Sequence, residues 1–115
     1  MTVTVKVLID PLQAAAVETT LYTSPTTGGG GKGTIIDKFT GTNTTAAAVV
    51  LTVKLIKLGG AAGAANTIVV KSIPANDVYT FPEIVGHVLN PGDFISVLAA
   101  SATAVTVRSS GRELS

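Results

Sequence analysis

Apolar and polar residues alternate one by one along most of this chain, and that period of two limits its fold more than any other feature. In "TVTVKVLI" (2–9), Val3, Val5, Val7 and Ile9 fall on one side and Thr2, Thr4 and Lys6 on the other. That is the pattern of a strand with one buried face. "AAVVLTVKLIKL" (47–58) is the longest such run, with Val49, Leu51, Val53 and Leu55 opposed to Thr52 and Lys54. Further strands are expected over 17–23, 33–43, 67–73, 78–81, 94–100 and 104–110, with Ile95, Val97, Val105 and Val107 pointing inward in the last two. Val and Thr recur throughout, and branching at Cβ suits both to strands.

Turn residues punctuate these runs. Asp10-Pro11 is expected to end the first strand, because proline brings no ladder donor. "QAAAVE" (13–18) reads as a loop or a single turn, "GGAAGAAN" (59–66) as a hairpin loop, "PAND" (74–77) as a turn. "NPGD" (90–93) reads as a type II turn with Gly92 at positive φ. "PEIVGHVL" (82–89) is the one helical pattern: Pro82 and Glu83 suit a first turn, Ile84, Val85, Val88 and Leu89 form a stripe, and Gly86 limits it to two turns. The expectation is an all-β protein with one domain over 1–115. It is a two-sheet, jelly-roll-like β-sandwich with one short helical turn near 82–89.

Composition narrows the function. Charged residues make up 13% of the chain, against about 25% in ordinary domains. The net charge of +1 gives no field to attract nucleic acid or an acidic membrane. Mean hydropathy is +0.52, yet no apolar run approaches the ~20 residues that span a bilayer. Lys6 interrupts the first run, which therefore does not read as a signal peptide. There is no cysteine for disulfides or thiolate metal sites.

The run "TSPTTGGGGKGTIID" (23–37) invites a phosphate-loop reading. That motif needs glycine at 26, a hydroxyl residue at 33 and a following helix. The chain has Thr26, Gly33 and a strand-like run instead. The stretch is expected to be a slack loop at one end of the sandwich. His87, the only histidine, has no nucleophile or metal-ligand spacing beside it and reads as structural. Of the carboxylates Asp10, Glu18, Asp37, Asp77, Glu83, Asp93 and Glu113, five adjoin turns, strand ends or the chain's end, where they serve backbone N–H groups. A glycosidase pair is made in space, and the sequence leaves that alternative open. "NTT" (43–45) matches a glycosylation acceptor, but Asn43 reads better as a strand end. No catalytic, cofactor-binding or metal-ligating residue emerges. Tyr22, Phe39, Tyr79, Phe81 and Phe94 are the only aromatics, and a small core claims most of them, which leaves few for binding sugar.

Three adjacent apolar pairs point to self-association. Ile35 and Ile36, Leu55 and Ile56, and Val69 and Val70 each place one apolar side chain on either face of a strand. Ile36, Ile56 and Val69 are taken as the outward members and as candidate oligomer contacts.

Over residues 20–114 the segments "LYTSP", "GTIIDKFTGTN", "VVLTVKLIKLGG", "VYTFPEIVGHVLNPGDFISVLAA" and "VTVRSSGREL" resemble small β-rich structural proteins of tailed bacteriophages. "PEIVGHVLNPGDFISV" leading to "SGRE" is the most specific part. The resemblance implies an assembled, non-enzymatic virion component with no cofactor, built in the host cytoplasm. Its partners would be copies of itself and the major capsid or other virion proteins. It leaves the place open among head decoration, head-spike base, neck and tail. The competing reading is a peripheral module that binds carbohydrate or the host surface.

Overall fold

The alternating runs become strands of two antiparallel sheets in the computed structural model, which describes residues 1–115. The strands are β1 (Val3–Gln13), β2 (Thr19–Thr23), β3 (Gly33–Asn43), β4 (Val49–Ile56), β5 (Thr67–Ile73), β6 (Val78–Tyr79), β7 (Val88–Leu89), β8 (Phe94–Ala99) and β9 (Val105–Leu114). The first sheet has the order β1-β9-β3-β6, with β7 also beside β3; the second has the order β2-β8-β4-β5. β6 and β7 border opposite ends of β3, at Gly41–Thr42 and Thr34–Ile35, and act as two pieces of one interrupted strand. The chain then passes between two four-stranded sheets in the manner of a jelly roll.

One hydrophobic core joins the sheets. Ile9, Ile36, Phe39, Val105 and Val107 of the first sheet meet Leu51, Val53, Val69, Ile73, Ile95 and Val97 of the second. Between β6 and β7 the chain turns inward. Phe81 takes φ +46, uncommon for a bulky residue, and buries its ring edge-on against Phe39 and Tyr79, with centroids 5.1 and 4.7 Å apart.

Several expectations are corrected here. The 82–89 segment forms hydrogen-bonded turns rather than a regular helix: Ile84 N–H donates to Phe81 O and His87 N–H to Ile84 O. Val85 N–H donates to Phe81 O, Gly86 takes φ +89, and Val88 and Leu89 then pair with β3. Only Ile84 and Leu89 of the expected stripe are buried. Asp10-Pro11 does not end β1, which continues to Gln13 as an edge strand, where proline costs no ladder bond. The glycine run is not slack. Thr27–Gly29 form a 3₁₀ turn, Gly31 N–H donates to Thr26 O, and a Cβ at Gly31 would stand 2.1 Å from Pro25 O. Packing that close is open only to glycine.

The largest correction concerns strand phase. In β1, Val7 pairs with Ser110 and Ile9 with Ser109, so Leu8 is an extra residue. This bulge puts Leu8 and Ile9 both in the core and turns Val3, Val5 and Val7 to the outside. A second bulge lies across β9 at the same level. Ile36 pairs with Gly111 and Lys38 with Ser110, which makes Asp37 the extra residue of β3. Ile36 and Phe39 therefore both face in.

Candidate functional site

The two bulges divide the first sheet into two ends of opposite character. Beyond Ser109 towards Val105, the sheet is conventional: Ile9, Phe39, Val105 and Val107 face the core, and Thr40, Thr42, Thr106 and Arg108 face out. On the other side of the bulge line the sense inverts. Paired residues share a face, so the rows Val5–Arg112–Ile35–Val88 and Val3–Leu114 lie outside, while Thr4–Glu113–Thr34 lies inside. Val5 is 84% exposed, Val88 61% and Val3 55%. Arg112 sits in the middle of this apolar face and forms a bidentate pair with Asp37, with Nη2 to Oδ1 at 2.9 Å and Nε to Oδ2 at 3.0 Å. Those bonds hold the Asp37 carboxyl below its ordinary range.

A polar chain fills the inside of the inverted end. Tyr22 OH donates to Glu113 Oε2 and is hydrogen-bonded to Thr34 Oγ1 at 3.0 Å, and Ser24 Oγ reaches the same Thr34 oxygen at 2.7 Å. Lys6 Nζ closes the chain on Glu113 at 3.3 Å. Burial, then the bond to Glu113, pushes the Tyr22 hydroxyl well above its usual range. Ser24 and Thr34 are fully buried, and the chain ties β2 to β3 and β9.

Most of the other carboxylates are also engaged. Glu18 accepts from Lys54 Nζ at 2.5 Å and Ser96 Oγ at 2.6 Å on the outer face of the second sheet. Burial would raise the Glu18 carboxyl, but the bonds from Lys54 and Ser96, with the Lys54 charge, outweigh it and hold it low. Asp93 accepts Leu58 N–H and Asn90 N–H, and Glu83 accepts the Tyr79 hydroxyl. Asn43 ends β3 fully buried, and its Nδ2 donates to Ala47 O and Ile73 O, which leaves no access for glycosylation. No three His, Asp or Glu side chains converge.

The candidate contacts Ile36, Ile56 and Val69 are not on a free surface, and this corrects the sequence-based choice. Ile36 and Val69 lie in the central core at 0% and 7% exposure. Val69 shares its face with Ile73, a parity that the sequence "TIVVKSI" carries and that identifies Val70 as the outward member. Ile56 has the outward parity of Lys54 but is covered by its own hairpin loop, where Gly60 comes close enough that a Cβ would be 3.0 Å from Ile56 Cγ2. The exposed members are Val70, Ile68 and Val50 on the second sheet and the valines of the inverted end on the first. No signal at the level of residue type marks the bulges that expose Val3, Val5 and Val7.

No family model and no curated protein matches the sequence. Solved structures similar to the chain include the D431N mutant VP2 protein of infectious bursal disease virus in derived T=1 particles. The likeness has a TM-score of 0.45 and 13% identity and covers 97% of this chain and 31% of that one. The structure of the infectious bursal disease virus Gx strain is similar with a TM-score of 0.42 and 12% identity, over the same shares. The chain thus spans 31% of the length of these solved chains.

Proposed function

We propose that this chain is a non-enzymatic structural component of a tailed-phage virion, a homo-oligomer attached to the head as a decoration protein or spike base. The observation that carries this reading is the character of the exposed apolar surface. It is aliphatic and arrayed on sheet faces: Val3, Val5, Val7 and Val88 on one sheet, Val50, Ile68 and Val70 on the other. A charge-poor chain that turns valines outward and a buried polar chain inward is built to be covered. The aromatics point the same way: Phe39, Phe81 and Tyr22 are buried and Tyr79 and Phe94 half-buried, which leaves no aromatic platform for sugar. The sequence resemblance over residues 20–114 supplies the tailed phage, and jelly rolls recur in capsid as well as lectin domains. The partners are copies of the chain and the major capsid or another virion protein, and the chain resides in the virion, assembled in the bacterial cytoplasm. Electron microscopy of the particle whose genome encodes the chain tests this. Density for the jelly roll on the head is expected. Density at the neck or tail would correct the place, and absence from purified particles would overturn the reading.

A further inference from the structure

The outer edge of β1 is the one long sheet edge with a stretch free of the usual protections. Exposed edges are normally blunted by proline, bulges or shortness. The second half of β1 has Pro11 and two register shifts, β2 is five residues with a shift of its own, and β6 and β7 are two residues each. β5 ends against Pro74 and folds Lys71 over the Tyr79 ring. Val3–Val7, by contrast, run in unbroken register with Leu114–Ser110. Thr2 and Ser115 exchange both backbone bonds, so the strand is held down to its tip. Antiparallel ladders alternate, and it follows that Thr4 and Lys6 direct N–H and C=O at β9 while Val3, Val5 and Val7 direct theirs at the free edge.

We propose that Val3–Val7 pair antiparallel with the same segment of a second copy, across a two-fold axis at Val5, joining two first sheets into one continuous sheet. This deepens the assembly reading above and rests on it. The segment is complementary to itself. With Val5 opposite Val5, Val3 faces Val7 and Val7 faces Val3. All three outward donors and acceptors of each chain are then satisfied, and the valines form one apolar row on the outer face. The charge fits as well. Lys6, the only charge in the segment, falls opposite Thr4 and keeps Glu113 beside it on β9. Moving the register by two in one direction sets Lys6 against its own copy, and like charges directly opposite are unfavourable; moving it in the other leaves Val7 beyond the partner's Thr2. The outer row of the joined sheet runs Val88, Ile35, Arg112, Val5 and back in reverse through the partner.

Substitution at the axis tests the pairing. Val5 is 84% exposed, so Val5→Lys and Val5→Glu keep the fold, and each places like charges face to face. Sedimentation of wild type is expected to give twice the 11.5 kDa chain mass, and each variant alone the single mass at the same concentration. An equimolar mixture of the two is expected to restore the double mass, since opposite charges then meet at the axis. Val70→Lys, on the other sheet, is expected to leave the dimer intact. A monomeric wild type, variants that stay paired, or a mixture that stays monomeric would each overturn the strand pairing. Particle localisation decides the virion role independently of these outcomes.

Discussion

The two ends of the first sheet are made of the same strands and solve opposite problems. Towards Val105, β3 and β9 turn Phe39, Val105 and Val107 to the core and threonines to water. Beyond the bulges at Leu8 and Asp37 the same strands, with β1 and β7, turn Thr34 and Glu113 inward and Val5, Ile35 and Val88 outward. The first end is finished as a monomer. The second satisfies its interior with hydrogen bonds among Tyr22, Ser24, Thr34 and Glu113, and leaves its apolar surface for something else to cover. An alternating sequence fixes the period of a strand and not the face that is buried, and one extra residue exchanges the two.

Substitutions at the two ends are expected to separate cleanly. Ile36→Lys has the largest expected effect. It buries an unpaired charge at a cost on the order of 4 kcal/mol, much of the ~5–15 kcal/mol that holds a domain together. The variant is expected to lose its cooperative melting transition, whereas Ile35→Lys, one residue away on the outer face, is expected to keep it. A soluble Ile36→Lys protein of normal stability would mean that the bulge at Asp37 is misplaced. Ile9→Ala comes next, with about 2–5 kcal/mol lost on denaturant unfolding.

Tyr22→Phe is expected to cost about 1–3 kcal/mol at neutral pH, because Thr34 and Glu113 lose a buried partner. Its pH dependence identifies the cause. The Tyr22 value is raised in the fold, so its contribution is complete below the ordinary tyrosine value of 10.0 and is lost as pH rises towards the raised one. Melting curves of wild type and Tyr22→Phe should therefore converge above pH 10. A gap that stays constant into strong alkali would remove the hydrogen-bonded chain from the account. Val5→Ala is the smallest, within about 0.5 kcal/mol for the dissociated chain. A larger loss there would show that Val5 is packed within its own chain.

Much of this fold is legible in the sequence, and the limits have physical causes. Period-two patterning locates most strands, "NPGD" predicts the turn in which Gly92 takes φ +86, and "GGAAGAAN" joins the paired strands β4 and β5. The strand order is not legible, because β1–β9 and β2–β8 pairings join residues far apart in the chain and no local preference encodes them. The outward faces are only half legible. The parity of Val69 and Ile73 carries the right answer for β5, while Ile36 depends on a bulge at Asp37 that strict alternation does not place. Ile56 shows a third cause: its parity is outward, but the loop over 57–66 folds back on it. The glycine run fails for a related reason, since a sequence rich in glycine permits slack and permits close packing equally well. Gly31 is there for the second, seated against Pro25.

Amide exchange at the tip of β1 tests most directly whether the inverted end is an assembly surface. Thr4 and Lys6 bond to β9 within the chain, and Val3, Val5 and Val7 point their amides away from it. Exchange followed from dilute to concentrated protein is expected to show Thr4 and Lys6 slow throughout, and Val3, Val5 and Val7 fast when dilute and slow once the chains assemble. Fast exchange at the three valines at every concentration, in protein whose sedimentation shows it assembled, would contradict the account.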